Sequence, residues 1–312
     1  MSRKSEVHLR LSLMSLNQSL FTDQNDPYEP ATPILKWVGG KRALLPEIQK
    51  LLAPPAPGRK FYEPFLGGGA VLFSQTGNFQ LVGGDANWEL INLYEVVKTR
   101  PQELVKKLGE FTNEEAFYYE VRDLDRGKGW SRTSPVLRAA RVLYLNKTCF
   151  NGLYRVNANG QFNTPFGFYT RPKFSNEIEI YKLHRFLTAK TSRRQERVSL
   201  THGSYLELTK LGKTGDSFYF DPPYVPISPT ASFTSYQSEG FNFKAQEELR
   251  DEAAKLVHKG VKVLLSNSDT EIVRELYKDK KTFKIHTVEI SRGIAAKASS
   301  RKRITEVLIE GK

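Results

Sequence analysis

Cysteine and long apolar runs are what this sequence most clearly lacks. The single cysteine, Cys149, excludes an internal disulfide framework and a cysteine-rich zinc site, and is typical of a reducing cytosol. The five histidines are scattered without a ligand pattern, so we expect no metal. No apolar run approaches membrane-spanning length, and no convincing cleavage site follows the leucines of residues 1–21. We therefore expect a cytoplasmic protein without membrane contact, beginning with an N-terminal extension over residues 1–31.

Acidic residues are also in the minority. Lys and Arg number 47 against 34 Asp and Glu, a formal net charge of +13, and the sequence pI is about 9.6. Such an excess is the electrostatic footprint of a protein that binds a polyanion, although many basic proteins never touch DNA. At 312 residues the chain is long enough for a large α/β domain with a second module inserted.

Two common nucleotide-binding motifs are missing, although the chain has a glycine-rich turn. Residues 61–73 run from a short apolar segment through glycines 67–69 into a helix-like stretch, which predicts a strand, a tight turn and a helix start. The pattern is neither GxGxxG nor a P-loop, which disfavours a dinucleotide or ATP. A second predicted strand, 79–84, ends at Asp85, 18 residues after Gly67, where a carboxylate suits ribose hydroxyls. S-adenosylmethionine, a nucleoside with a carboxylate, fits this site; a connection without a ligand is the alternative.

The tetrapeptide Asp221-Pro222-Pro223-Tyr224 directly follows a predicted buried strand, 217–220. In an open α/β sheet, ligands bind at the carboxyl ends of the strands. Asp221 and the Pro222 carbonyl accept hydrogen bonds, and the Tyr224 ring can stack on a planar group. This combination fits a planar base with an exocyclic amine. The alternative is a strand stopped by prolines, with Tyr224 packed as core.

Three blocks stand in order along the chain: Lys36-Trp37-x-Gly-Gly-Lys41, Glu63-Pro-Phe-x-Gly-Gly-Gly and Asp-Pro-Pro-Tyr. Over residues 35–308 the chain thereby resembles the Dam-type DNA adenine methyltransferases, in the group whose cofactor motifs precede a target-recognition insertion. The resemblance implies a Rossmann-like, S-adenosylmethionine-dependent methyltransferase sheet of α/β class, mostly parallel with an antiparallel edge strand. It also implies a mainly helical target-recognition domain with a β-hairpin at 91–190, inserted into a catalytic domain formed by 32–90 and 191–312.

The same resemblance implies roles for individual residues. Contact with the cofactor S-adenosyl-L-methionine falls to Trp37, Lys41, Glu63, Phe65, Gly67, Asp85 and Asp221. Catalysis falls to Asp221, Pro222 and Tyr224. Lys36 resembles a lysine that reads a guanine at the edge of the recognition site, whereas its charge alone favours a phosphate contact.

The middle of the chain alternates amphipathic helical patterns, at 101–111, 114–124 and 135–146, with a loop at 146–169 that we term the reading loop. Alternating side chains and an Asn-Gly pair at 159–160 predict a β-hairpin. A hairpin can enter the major groove, where Arg155 can contact guanine and Asn151 adenine.

By resemblance, the reading-loop residues at the DNA are Phe150, Asn151, Leu153, Arg155, Pro165 and Tyr169. Phe150 stands where the family often has tyrosine, so stacking is retained and a hydroxyl contact is lost. The match of Lys36, Leu153, Arg155 and Pro165 favours GATC as the target.

Strand and helix patterns alternate again after residue 240. Helices are predicted at 244–260 and 270–278, and strands at 261–267, 283–290 and 303–309. The alternation predicts a largely parallel sheet with helices on both faces, the last two strands being antiparallel. Their connection, 291–302, carries the candidate phosphate contacts Arg292, Arg301 and Lys302.

The predicted activity is methyl transfer from S-adenosylmethionine to N6 of adenine in duplex DNA, with the base flipped out of the stack. N4 of cytosine is an alternative, because the same acceptors suit that amine. A non-catalytic DNA-binding regulator of the same fold is the other alternative, disfavoured by the intact Trp37, Gly67, Asp85 and Asp221. We expect a prokaryotic or phage-encoded, nucleoid-associated enzyme that is a monomer in solution and binds double-stranded DNA in one or more copies.

Overall fold

A computed structural model describes residues 28–225, 241–290 and 304–312. The predicted phosphate contacts Arg292, Arg301 and Lys302, and all but the last residues of the N-terminal extension, lie outside these ranges.

Within the described ranges, seven strands form one sheet in the order β3-β2-β1-β4-β5-β7-β6. Strand β7 runs antiparallel to both of its neighbours, and the other adjacent pairs are parallel. The mostly parallel sheet with an antiparallel region at one edge is therefore confirmed. The strands are β1 (Lys60–Glu63), β2 (Gln80–Asp85), β3 (Val198–His202), β4 (Ser217–Phe220), β5 (Lys262–Ser268), β6 (Phe283–Ile290) and β7 (Ile304–Gly311).

Both faces of the sheet are covered, which explains why its central strands are continuous apolar runs. All four residues of β4 are buried, with Tyr219 in one core and Phe218 and Phe220 in the other. This pattern follows from the strand period of two, which sends successive side chains to opposite faces.

The helices predicted after residue 100 are confirmed with ends that differ by a few residues, as is the helix predicted over residues 42–52. Helices α2, α6 and α7 and strand β3 have no counterpart among the predicted elements. The helices are α1 (Leu45–Leu51), α2 (Trp88–Thr99), α3 (Pro101–Leu108), α4 (Glu115–Asp123), α5 (Pro135–Thr148), α6 (Glu177–Thr188), α7 (Tyr205–Leu211), α8 (Phe243–His258) and α9 (Glu271–Leu276). None of these helices is long and apolar enough to cross a membrane.

The prediction of a helix start after the three glycines was wrong. Only a 3₁₀ turn, Leu72–Ser74, follows them, and the chain is extended again at Gln75. The Phe73 ring folds back over Gly69, where an added Cβ would lie 2.3 Å from it. The donors at this turn are therefore amides of the loop and not those of an α-helix N-terminus.

The reading loop forms a hairpin in outline without a regular ladder. Two isolated antiparallel bridges, Cys149 with Phe166 and Val156 with Phe162, hold its two sides together. The Asn157 amide donates to the Gln161 carbonyl at 2.8 Å and closes the predicted turn. Near the start of the loop, a 3₁₀ turn with Asn151 at φ +55° interrupts the strand geometry.

Candidate active site

Three carboxylates lie at the ends of three adjacent strands. Glu63 ends β1, Asp85 ends β2, and Asp221 directly follows β4. Because β2, β1 and β4 are neighbours and parallel, their carboxyl ends meet at one edge of the sheet. The structure thus brings together the acidic residues that the sequence assigned to cofactor binding and catalysis.

Asp221 is held by two donors. Its Oδ1 accepts from the Lys41 ammonium at 2.9 Å and from the Ser266 hydroxyl at 2.8 Å. Burial raises the pKa of Asp221, and the Lys41 charge and the Ser266 hydrogen bond oppose this rise. Lys41 itself is only 4% exposed and also donates to the Gly39 carbonyl. Lys41 and Ser266 thus both favour the ionised form of the carboxylate at the strand end.

The backbone of residues 221–225, which we term the catalytic turn, is fixed by side chains of α8 and β5. Gln246 donates through Nε2 to the Pro223 carbonyl at 2.7 Å. Val225 is held at both backbone atoms, by the Asn267 Oδ1 at 3.3 Å and by the Ser268 hydroxyl at 2.7 Å. Gln246, Asn267 and Ser268 are each at most 2% exposed. These bonds leave the turn little freedom.

The Tyr224 ring stands beside Asp221 with its hydroxyl anchored. The hydroxyl donates to Glu306 Oε2 at 2.7 Å, and the Lys41 ammonium lies 4.7 Å from the ring centroid. Burial, followed by the Asp221 charge, raises the pKa of Tyr224, so the phenol remains a donor.

Sequence reasoning missed Ser266, Gln246, Asn267 and Glu306. One signal was available: polar residues 266–268 end an otherwise apolar buried strand. Nothing in the sequence indicated the partners of Gln246 and Glu306, because these bonds join separate elements.

Asp85 organises the glycine-rich turn. Its Oδ2 accepts from the Gly67 amide at 2.9 Å and its Oδ1 from the Asn87 amide at 2.8 Å. Burial raises the pKa of Asp85, and these two amides oppose the rise. A carboxylate offers about four lone-pair sites, so Asp85 retains acceptor capacity for a ligand's hydroxyls.

Glu63 is buried, 3% exposed, between the other two acids. Its Oε2 has no hydrogen-bond partner among the described residues. Burial, followed by the Asp221 charge, raises the pKa of Glu63 well above its usual range. A buried carboxyl oxygen without a partner is costly, and a ligand donor such as an ammonium group would satisfy it.

Trp37 packs directly on the glycine-rich turn. A Cβ added at Gly67 or at Gly68 would lie 2.9 Å from Trp37 side-chain atoms. Gly67 also has φ +47°, so both sterics and conformation require glycine there. On the same edge, the half-buried Phe65 ring stacks on Tyr205 at 5.0 Å. These contacts give the site apolar walls beside its three acids.

Lys36 is tied to the reading loop through Asn146. The Lys36 amide donates to Asn146 Oδ1 at 2.8 Å, and Asn146 Nδ2 donates to the carbonyls of Lys36 at 2.7 Å and Gly152 at 3.1 Å. The Lys36 ammonium lies 4.7 Å from the Tyr169 ring centroid. The structure thus unites Lys36 with the loop, although 110 residues separate it from Asn146. Asn146 was not predicted as a functional residue.

The predicted reading residues lie at the surface. Phe150 is 55% exposed, Asn151, Arg155 and Pro165 are also exposed, and Leu153 and Tyr169 are half-buried. Arg155 Nε donates to Asn163 Oδ1 at 2.7 Å across the hairpin. Behind this surface, the Phe162 amide donates to Asp125 Oδ2 at 2.8 Å. Asp125 also pairs with the buried Arg141 at 2.7 Å, which anchors the loop to the helices.

The cofactor block and the reading loop also touch directly. The ring centroids of Trp37 and Tyr154 lie 5.2 Å apart. Since Trp37 packs on Gly67 and Tyr154 adjoins Arg155, one aromatic contact connects the two parts of the site.

A mostly parallel seven-stranded sheet with an antiparallel β7, and acids and glycines at the ends of adjacent strands, define a Rossmann-like methyltransferase. The sequence profile of the family described as "D12 class N6 adenine-specific DNA methyltransferase" matches residues 37–294. The chain belongs to this family. It is an adenine-specific DNA methyltransferase, its substrate is DNA, and its cofactor is S-adenosyl-L-methionine.

Curated relatives align over most of the chain. The Type II methyltransferase M1.LlaDCHI of Lactococcus lactis subsp. cremoris is 42% identical over 279 residues, 89% of this chain and 94% of that protein. The Type II methyltransferase M.MjaIII of Methanocaldococcus jannaschii is 37% identical, over 89% of this chain and 98% of that protein. The DNA adenine methylase of Escherichia coli K12 is 36% identical, over 88% and 93%. The family favours N6 of adenine over N4 of cytosine, and catalysis over a purely regulatory role.

Proposed function

We propose that this enzyme methylates N6 of adenine in GATC sites of duplex DNA, after flipping the base into the pocket formed by Asp221, Pro222 and Tyr224. One observation carries the proposal. Lys36 and the reading loop, which are distant in sequence, share one surface, and the chain passes from Lys36 to Lys41 and so to Asp221. A site that reads DNA therefore adjoins one that can hold an amine.

The chemical task is to make a poor nucleophile reactive. The lone pair of the adenine amine is conjugated with the ring until its hydrogens are held out of plane. Asp221 Oδ and the Pro222 carbonyl accept these two hydrogens and raise the electron density on nitrogen. Bound S-adenosylmethionine supplies the electrophilic methyl carbon. Lys41 and Ser266 favour the ionised form of Asp221, and the Tyr224 ring stacks on the flipped base.

The edge of the sheet fits the cofactor. Asp85 would accept from the ribose hydroxyls, and Oε2 of Glu63, which has no partner among the described residues, would accept from a donor of the methionine part. The remaining lining residues are Trp37, Lys41, Phe65, Gly67 and Asp221. This assignment uses the acceptor capacity and apolar walls that the described residues present.

Lys36 and the exposed side chains of the reading loop, which together we term the reading surface, fit a major groove. Arg155 makes a bidentate contact to guanine, Asn151 contacts adenine, and Lys36 reads the outer guanine. The other contacts come from Phe150, Leu153, Pro165 and Tyr169. Arg292, Arg301 and Lys302 would add phosphate contacts that position the duplex.

Residues 91–190 act in this proposal as the target-recognition domain of a monomeric, nucleoid-associated enzyme. The catalytic domain comprises 32–90 and 191–312, and the boundary at residue 90 falls within α2.

Sequencing the methylome of a methylation-free host that expresses the chain tests the site assignment. N6-methyladenine confined to GATC supports it, and another sequence overturns it.

A duplex with 2-aminopurine at the target adenine tests flipping. We expect fluorescence to rise several-fold on binding, because the base leaves the stack; unchanged fluorescence with bound DNA contradicts flipping.

A further inference from the structure

Glu306 lies at a rigid position behind the catalytic turn. It belongs to β7, opposite Ser268 of β5 on one side and Val288 of β6 on the other. The next residue, Val307, is fully buried. Oε2 of Glu306 accepts from the Tyr224 hydroxyl at 2.7 Å, a well-formed O–H···O hydrogen bond. The Tyr224 hydroxyl thus has a carboxylate partner on β7, and Ser266 also hydrogen-bonds to it.

The backbone of the catalytic turn does not depend on this bond. Pro223 and Val225 are held by Gln246, Asn267 and Ser268, which belong to α8 and β5. What Glu306 adds is control of the Tyr224 side chain, whose two χ angles set the orientation of the ring. A ring fixed in its stacking orientation holds the flipped base in the geometry that methyl transfer needs.

The same bond makes the ring a better partner for positive charge. A phenol that donates to a carboxylate is polarised, which increases the electron density of the ring. The Tyr224 face already attracts a cation, since the Lys41 ammonium lies 4.7 Å from its centroid. The target amine becomes more positive as the methyl group transfers, so an electron-rich ring stabilises the transition state more than the ground state.

We propose that Glu306 is a positioning residue for methyl transfer, acting on the flipped adenine through the hydroxyl and ring of Tyr224. The inference rests on the proposed function, because it takes Tyr224 as the stacking surface for the target base. It assigns a role in the chemical step to a residue on the antiparallel strand, outside the sequence motifs.

A double-mutant cycle tests the inference. Glu306→Leu, Tyr224→Phe and the double variant are compared by single-turnover methylation of a GATC duplex at saturating cofactor. Each single change should slow methylation about tenfold, the effect of losing one hydrogen bond to a charged group. The double variant should be no slower than the slower single variant, because both changes remove the same bond. The dissociation constants for DNA and cofactor should change less than about twofold, since the bond acts in the chemical step.

Two further variants separate positioning from folding. Glu306→Gln keeps an acceptor without the charge and should recover part of the rate. Glu310→Leu removes another carboxylate of the same strand, whose partner His286 lies 2.7 Å away, and should methylate like the wild type. A wild-type rate in Glu306→Leu, or a double variant about a hundredfold slower, as independent effects would give, overturns the inference. If Glu306→Leu unfolds, the cycle with Glu306→Gln decides: additive effects again overturn the inference.

Failure of the proposed function gives a different result. In that case the wild-type enzyme does not methylate GATC or does not raise 2-aminopurine fluorescence. Failure of the Glu306 role leaves both wild-type signals intact.

Discussion

The catalytic turn and the reading loop are built in opposite ways. The catalytic turn is held by side chains of buried strands and a helix, and its acid carries two donors. The reading loop is held by two isolated bridges, by Asn146 at its base and by the Phe162 amide on Asp125, while Phe150 and Phe168 are 55% and 71% exposed. The catalytic turn is fixed by hydrogen bonds from the protein interior, whereas the reading loop presents side chains to solvent.

This difference separates two tasks. A side chain of the reading loop can change without disturbing the sheet, so the target sequence can change on a constant framework. A change in the catalytic turn alters groups that share one hydrogen-bond network. Substitutions in the turn should therefore change the rate, and substitutions in the loop should change the sites that are methylated.

The largest effect should come from Asp221→Ala. Losing a preorganised acceptor for the amine should lower the single-turnover methylation rate about a thousandfold. DNA affinity, measured by fluorescence anisotropy, should stay nearly constant, because the reading surface is untouched. Asp251→Ala, on the surface of α8, is the matched control. Substantial methylation by Asp221→Ala would contradict the catalytic assignment.

Arg155→Ala should act on recognition. Removing one bidentate contact costs about 1–3 kcal/mol of discrimination, so kcat/KM on GATC should fall about tenfold or more. On duplexes that differ at the guanine read by Arg155, the rate should hardly change. Competition between the two duplexes measures the ratio, with the exposed Arg193→Ala as control. An equal loss on both duplexes would mean that Arg155 contacts phosphate.

Lys41→Met should shift the pH dependence of methyl transfer. Without the ammonium at 2.9 Å, the pKa of Asp221 rises further, so less of the acceptor is ionised at low pH. The acid limb of the single-turnover rate should move to higher pH by about one unit, and the rate should recover as pH rises. Lys50→Met, a surface ion-pair variant, should leave the profile unchanged. If the acid limb does not move at saturating cofactor, Lys41 is not the charge that stabilises the ionised form of Asp221.

Glu63→Gln should stabilise the ligand-free protein and weaken cofactor binding. The pKa of Glu63 is raised in the folded state, so its ionisation increasingly opposes folding as pH rises above the unfolded value. The variant should match the wild type near pH 4 and unfold a few degrees higher at pH 8. Thermal unfolding across pH measures this, with Glu47→Gln as control. A variant that is less stable than the wild type at pH 8 would contradict the claim that ionised Glu63 destabilises the folded protein.

The smallest effect should come from Cys149→Ala. Burial raises the pKa of this thiol to about 11, and the thiol faces the backbone carbonyls of Asn146 and Leu153 in the reading loop. We expect a stability loss of about 1 kcal/mol and an unchanged methylation rate. If the variant folds but has no activity, the prediction is wrong and the thiol takes part in the reaction.

The sequence predicted correctly that acids lie at the carboxyl ends of neighbouring strands, because each strand there is an apolar run that stops at an acid. Asp85 and Asp221 mark these ends without any tertiary information. A short 3₁₀ turn stands where the sequence predicted a helix after the glycines. The sequence could not show this, because the turn depends on the packing of Phe73 on Gly69.

The residues that hold the site in place could not be predicted from the sequence, for a different reason. Asn146 joins Lys36 to the reading loop, and Glu306 joins β7 to Tyr224, across large separations in sequence. Periodicity and spacing report local structure, so partners such as these become visible only in the folded chain.

Methylome sequencing of a methylation-free host that expresses Arg155→Ala tests the division of tasks most directly. If the turn selects the atom and the loop selects the site, every methyl group should remain on N6 of adenine. The modified sites should extend from GATC to sequences that differ from it at one guanine. Methylation on cytosine N4, or a pattern still confined to GATC at the wild-type level, would contradict that division.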